Sequence, residues 1–490
     1  MTAKPSLKRN AIANFLGSAL PMIVSLVTVP LYLGHIGAAR YGVLAIVWML
    51  QGYFGYFDLG LSAATSNRIA QLSDASPAER ESVMWTALLL NAAFGVLGGL
   101  ILYSVGHLLF AQFHIAPEIN AEVSAAMPWI ACAVPLATVT AVFTGALAGR
   151  EQFGALNAAQ FAGMLIFQVA PLVAAILLKP ELQYVIPAAI IGSAVSLLIL
   201  VVVVYRVFPL SLTAGPDRRC IKPLFSYGAW VTVSNLIFPL LDSIDRLVIG
   251  RVLGAQAVTW YQVPLTLAVR ARIVPGVFSR TLFPRLSAID TEDAVALSIS
   301  ATRGLTILMT PPIVFGIFLM HPFLIVWLGS GFAANSRSVG EALLIGVWIN
   351  AIAHIPGTHL AAVRRPDLVA AFHAAQLVPY IVALWLALQY FGLVGAALVF
   401  SLRYVFETAL LFWAARLGIG ITRFLLVPGL LVVAAFVATV LFPWPSAAAN
   451  LSWILLTIAS LVWALHADSG WRTRVLHALS SRLPYRWRRA

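Results

Sequence analysis

Charge is what this chain has least of: Asp, Glu, Lys and Arg together make up 10% of its 490 residues. Soluble domains carry about a quarter, and disordered chains are low in hydrophobic residues. With 61% hydrophobic residues, the chain fits neither class. The strict alternation of apolar and polar residues that marks an outer-membrane barrel is missing as well. Cysteine is nearly absent. Cys132 and Cys220 supply neither a disulfide framework nor a four-ligand metal site, and both read as inert thiols. Catalytic signatures are also missing: no GxSxG, HExxH, Walker A or CxxC pattern occurs. Hydrophilic loops long enough for a soluble domain are missing too, as are dense Arg/His/Asp clusters. The sequence therefore predicts no enzyme, no cofactor and no metal.

What is present is apolar run after apolar run, with a mean hydropathy of +0.92. At about 20 residues per membrane crossing, the pattern predicts an all-α polytopic membrane protein. Spans are expected near 10–34, 40–66, 83–106, 123–148, 155–178 and 183–205. A second set falls near 224–245, 252–283, 303–328, 340–362, 368–391 and 393–415, and a final pair near 423–442 and 450–467. That makes fourteen transmembrane helices. The first follows Lys4, Lys8 and Arg9 but is too long for a signal-peptide core, so it is expected to stay as a span.

The formal charge of +13 is scattered between the runs, which argues for membrane topology and against a nucleic-acid partner. With the N-terminus in the cytoplasm, 23 of the 31 Lys and Arg residues fall on that side. Five fall opposite (Arg40, Lys179, Arg246, Arg251 and Arg337), and three inside spans. The asymmetry predicts both termini in the cytoplasm, with the arginine-rich stretch 468–490 lying against anionic lipid head groups.

The chain also repeats itself. Gln160 and Gln376, Arg68 and Arg285, and Gly17 and Gly228 sit in similar local sequences at offsets of 216, 217 and 211. Six spans separate the copies, so both enter the membrane in the same direction, a parallel repeat. The expected organisation is a six-helix lobe over 1–205, a basic linker over 206–223 and a second six-helix lobe over 224–415. Two accessory helices follow over 416–467, then the basic tail 468–490. A cleft between the lobes is expected.

Charges within spans are costly, about 2.5–3.5 kcal/mol each on insertion scales, and normally face a polar cavity or a partner. With Trp260 and Tyr261 as an interfacial belt, Arg270 and Arg272 lie roughly 15 and 18 Å deeper along the helix. They are the leading candidates for facing such a cavity, with snorkelling and a helix–helix pair as the alternative. Arg403 and Glu407, four apart, share a helix face and read as a substrate contact or an internal ion pair. Asp58 reads as a local cap or a coupling group. Asp242 and Asp245 are the remaining deep carboxylates. His354, His359 and His373 read as hydrogen-bonded core residues.

Several segments carry a resemblance. Asn10-x3-Asn14-Phe-Leu-Gly17, Pro30-Leu-Tyr-Leu-Gly-His-Ile-Gly37-x3-Tyr41-Gly42, Asp58-Leu-Gly-Leu61 and Asn67-Arg68 open the chain. Tyr227-Gly-Ala-Trp230, Leu241-Asp-Ser-Ile-Asp-Arg246, Gly250-x3-Gly254, Leu282-Phe-Pro-Arg-Leu-Ser287 and Phe391-Gly-Leu-Val-Gly395 follow. Together they resemble the polysaccharide-biosynthesis transporters, the Wzx-type flippases of the multidrug/oligosaccharidyl-lipid/polysaccharide (MOP) exporter superfamily. The resemblance implies a two-lobed transporter that turns an undecaprenyl-pyrophosphate-linked oligosaccharide across the inner membrane by alternating access. It implies partners too: the lipid-linked substrate, membrane lipids, and a polymerase and chain-length regulator of the same pathway. In the related lipid II flippases a basic cavity includes an arginine of the eighth helix, and Arg270 or Arg272 corresponds. The alternatives are a cation-coupled multidrug antiporter, which would use Asp242 or Asp245, and an integral-membrane glycan polymerase.

Overall fold

The computed structural model describes residues 7–54, 58, 60–72, 76–207, 215–221 and 239–467. Long helices dominate: α1 (Leu7–Phe54), α2 (Leu61–Gln71), α3 (Pro77–Ala111), α4 (Pro117–Gly149), α5 (Phe153–Leu177) and α6 (Leu182–Val207). After them come α7 (Ile244–Leu253), α8 (Ala255–Ala268), a 3-10 turn at Val269–Arg272 and α9 (Ile273–Leu286). The chain continues through α10 (Thr291–Leu328), α11 (Ser330–Ala362), α12 (Pro366–Ala414), α13 (Ile419–Leu441) and α14 (Ala447–His466). Ten of the helices among the described residues are long and apolar enough to cross a membrane. The protein is therefore an all-α, multi-pass membrane protein.

Two of these helices are each a pair of spans. A straight α1 would place Tyr32 and Trp48 about 24 Å apart, yet their ring centroids are 5.6 Å apart. The chain reverses at Gly37, whose φ of 77° is open to glycine and strained for most other residues. In α12, Tyr380 and Arg403 would be roughly 34 Å apart on a straight helix, but the guanidinium lies 5.1 Å from the ring centre. Gly392, with φ 59°, makes that reversal. With these two turns, the observed helices account for every expected span but the seventh. Most of 224–245 lies outside the described residues, as do the tail 468–490 and the Tyr227–Trp230 motif.

The chain divides into two compact units, Met1–Thr259 and Trp260–Ala490. In the first, α4 is central and packs on α2, α3 and α6, with α5 against α1 and α6. Its core joins Leu61 and Ile69 of α2, Met84 of α3, Leu147 of α4 and Val204 of α6. The start of α8 packs here too: Thr259 donates to the carbonyl of Ala38 at 2.6 Å. In the second unit, α11 packs against α9, α10, α12 and the 3-10 turn, while α13 and α14 lie against α10. Ser298, Thr302, Thr306 and Thr310 recur every fourth residue along α10, forming one stripe, and all are fully buried. Three of these hydroxyls return hydrogen bonds to their own helix, so the stripe packs without orphaned polar groups. Outward faces stay apolar. On α14, Leu451, Ile454, Leu455, Ile458 and Leu461 are all exposed, as suits a lipid-facing helix.

One ion pair clasps the first unit. Arg40 donates from Nε to Glu122 Oε2 at 2.9 Å and from Nη2 to Oε1 at 2.6 Å. The same carboxylate accepts the backbone N–H of Leu182 at 2.8 Å. Three segments far apart in sequence (the second half of α1, the start of α4 and the start of α6) thus meet on one group. Glu122→Ala is expected to cost about 2 kcal/mol, because it leaves a guanidinium and an amide short of their acceptor. A thermal melt in detergent checks this: the midpoint should fall for Glu122→Ala and recover partly in Glu122→Leu paired with Arg40→Met.

Candidate functional site

The second unit gathers charge around an aromatic patch. Phe400, Arg403, Tyr404 and Glu407 fall on one side of the second half of α12, at helical spacing. Phe400 and Tyr404 are fully buried, with rings edge-to-face at 5.1 Å. Arg403, 4% exposed, lays its guanidinium 4.3 Å from the centre of the Tyr404 ring and 5.1 Å from that of Tyr380. Arg272, from the 3-10 turn, donates from Nη2 to the Tyr404 hydroxyl at 2.7 Å. Its guanidinium lies 5.5 Å from the same ring. Two arginines therefore share one tyrosine. Ring quadrupoles attract cations from the face, and a guanidinium, weakly hydrated and planar, suits such a dry setting better than an ammonium would.

Arg270 behaves differently. It is half-buried in the same 3-10 turn, and its side chain has no hydrogen bond, ion pair or ring contact with the described residues. The turn tightens the helix at 269–272, between α8 and α9, so the two arginines differ in more than direction: Arg272 is tied down and Arg270 is not. Glu407 is buried, and its Oε1 lies 3.3 Å from His373 Nε2. A histidine from the first half of α12 thus reaches the carboxylate that sequence spacing had placed next to Arg403. His354 holds the carbonyl of Asn350 through Nδ1 at 2.9 Å. His359 sits 2.9 Å from the Ser298 hydroxyl, wholly within the helix packing.

The other acidic candidates are engaged locally. Asp58 accepts the backbone N–H of Gly60 at 2.6 Å and of Ser62 at 3.2 Å, so it holds the turn that leads into α2, whose N-cap is Gly60. Asp245 lies in the first turn of α7, fully buried, and pairs with Arg246 Nη1 at 3.2 Å. That same nitrogen donates to the carbonyl of Asp242 at 2.9 Å. Sequence reasoning missed Tyr380, Phe400 and Tyr404 as partners of the arginines. The period-four spacing of Phe400 and Tyr404 was a usable signal; Tyr380, across the Gly392 reversal, left none.

A multi-pass bundle with several cations at membrane depth has the architecture of a transporter. Solved structures agree on the fold. A multidrug resistance transporter of the MATE family, MOP superfamily, in an inward-facing conformation, matches with a TM-score of 0.66 at 15% identity. That match covers 84% of this chain and 98% of that one. The lipid II flippase MurJ in an inward closed conformation matches with a TM-score of 0.66 at 14% identity, covering 93% and 97%. Residues 7–290 match the family model described as "Polysaccharide biosynthesis protein". The chain belongs to that family. Among relatives, a Shigella flexneri protein named for O-antigen transport is 27% identical over 409 residues, 83% of this chain and 97% of its own. The teichuronic acid biosynthesis protein TuaB of Bacillus subtilis (strain 168) is 24% identical over 349 residues, covering 70% of this chain and 68% of its own.

Proposed function

We propose that the protein is a flippase that moves an undecaprenyl-pyrophosphate-linked oligosaccharide across the bacterial inner membrane. The observation that carries this reading is the arginine cluster. Arg272 and Arg403 sit on buried aromatic rings, and Arg270, two residues from Arg272 in the same 3-10 turn, has no protein partner among the described residues. A diphosphate offers several acceptor oxygens, and guanidinium groups bind such oxygens bidentately and strongly. Glu407 adds a buried carboxylate whose Oε1 lies 3.3 Å from His373 Nε2. The name of the Shigella flexneri relative points to the same substrate class. Export in the pathway then hands the glycan to a polymerase and its chain-length regulator.

Transport proceeds by alternating access of two six-helix lobes, 1–205 and 224–415, joined by the linker 206–223. The accessory pair 416–467 and the cytoplasmic tail 468–490 stand outside the repeat. Backbone geometry supports the repeat beyond the sequence matches. Positive φ values recur at Gly37 and Gly254, 217 residues apart, and at Glu151 and Arg364, 213 apart. These are the breaks after the first and seventh spans and after the fourth and tenth. The multidrug alternative is less well supported, because of the two carboxylates it would use, Asp242 and Asp245, the second is already paired with Arg246.

Topology is testable by thiol labelling. Cys132 is exposed, and Cys220 has its thiol pushed up by burial and by Asp217, against the pull of Arg68. Both are replaced first. With cytoplasmic termini, an impermeant maleimide added to intact cells should modify Arg337→Cys and spare Arg472→Cys. Labelling of the second, or of neither after full lysis controls, contradicts the assignment. Function is tested by surface polysaccharide in a strain lacking the transporter: the wild-type gene should restore it, and lipid-linked units should build up without it.

A further inference from the structure

The first unit contains a cavity of about 840 Å³. Its walls come from the second half of α1 and from α2, α4, α5 and α6. Its chemistry is unlike that of the arginine cluster. Among the described residues, no Asp, Glu, Lys, Arg or His lines it. Hydroxyls and amides do, among them Gln51, Ser66, Thr144 and Gln160, beside the rings of Trp48 and Phe167. These two rings lie 5.9 Å apart and tilted by 51°. Trp48 and Gln51 are three apart on α1 and share a face. Trp48 Nε1, a donor, and Gln51 Oε1, an acceptor, are shut off from solvent and have no hydrogen-bond partner among the described residues.

Orphaned buried groups of this kind are costly, and each asks for an explanation. The volume lies within the roughly 300–1,000 Å³ range of small-molecule sites. A cationic ligand would lack a carboxylate here, and an anionic one would lack a guanidinium. A purely apolar chain would leave both orphans unsatisfied. Uncharged sugar rings meet every term. Each hydroxyl donates and accepts, and the C–H faces of the ring pack on aromatic side chains.

We propose that this cavity is a saccharide subsite that takes the uncharged glycan part of the transported lipid, with Trp48 as platform and, once the two side chains turn toward the ligand, Trp48 Nε1 as donor and Gln51 as acceptor. The assignment rests on the flippase reading above and adds which residues read the sugar. Its test uses the purified full-length protein in nanodiscs and two probes. One is the lipid-linked repeat unit extracted from a strain lacking the transporter; the other is bare undecaprenyl diphosphate. Gln51→Leu should weaken binding of the repeat unit about tenfold and leave binding of undecaprenyl diphosphate within about twofold, as expected for losing one hydrogen bond to sugar. A second variant guards against misfolding. In a background lacking Cys132 and Cys220, maleimide labelling of Thr144→Cys should slow in the presence of the repeat unit and not with undecaprenyl diphosphate. Equal effects on both probes, or no effect on either measurement, overturn the subsite. Failure of the wild-type protein to bind either lipid overturns the flippase reading itself, and the subsite with it.

Discussion

Replacing Arg270 and Arg272 together by alanine should cut surface polysaccharide about thirtyfold while the protein stays at its normal level in the membrane. The figure corresponds to losing ~2 kcal/mol from a charged contact. The two single variants should differ. Arg270 has no partner to lose among the described residues, so Arg270→Ala should impair export with little change in melting temperature. Arg272 donates to Tyr404, so Arg272→Ala should affect both. Lysine at position 270 keeps the charge but loses the planar fork, and should restore export only in part. Tyr404→Phe removes the acceptor of Arg272 but keeps the ring under Arg403, and should fall between wild type and Arg272→Ala. Arg403 tests the competing idea of a purely internal balance. If Arg403 serves just to offset Glu407, the double change Arg403→Met and Glu407→Gln should restore export. On the present account it does not. Polysaccharide per unit of transporter, measured by immunoblot of washed membranes, decides each case.

Gly42→Ala should be the most damaging small change in the first unit. A Cβ at that position would lie 1.8 Å from the carbonyl oxygen of Ala255 and 2.7 Å from its carbon. Both are backbone atoms and cannot swing away as a side-chain tip can. Either α1 or the start of α8 must shift, and the Thr259 bond to Ala38 is lost with it. The cost is about 3 kcal/mol, the upper end for overpacking a tight contact. Gly34→Ala is the matched control: it sits in the same helix with open space around it. There alanine should be neutral or stabilise by up to ~1 kcal/mol through helix propensity. Thermal melts and membrane abundance of the two variants should therefore move apart.

Much of the fold could be read from apolar run lengths, because a span must satisfy its backbone internally and so must be a continuous helix. The interruptions at Gly37 and Gly392 fall where the runs were expected to break. What escaped was whatever depends on contacts across the bundle. The Arg40–Glu122 clasp joins residues 82 apart, and a count of loop charges placed Arg40 without seeing its partner. Arg270 and Arg272 were legible as membrane-depth cations, yet a regular helix could not tell them apart. The 3-10 turn, with Tyr404 facing one of them, does. Glu407 was matched to Arg403 by spacing, whereas His373 reaches it from the far side of a chain reversal that no spacing rule contains. Asp58 was legible for the opposite reason: its partners, Gly60 and Ser62, are two and four residues away.

Flipping in a purified system tests the central claim most directly. Proteoliposomes are loaded with the lipid-linked repeat unit from a transporter-deficient strain, and a glycan-cleaving enzyme is added outside. The pool of repeat unit in the inner leaflet should become accessible to the enzyme over time with wild-type protein. It should remain protected in empty liposomes and in liposomes bearing the Arg270 and Arg272 double alanine. A protected pool that is no smaller with wild-type protein than in empty liposomes would contradict the account.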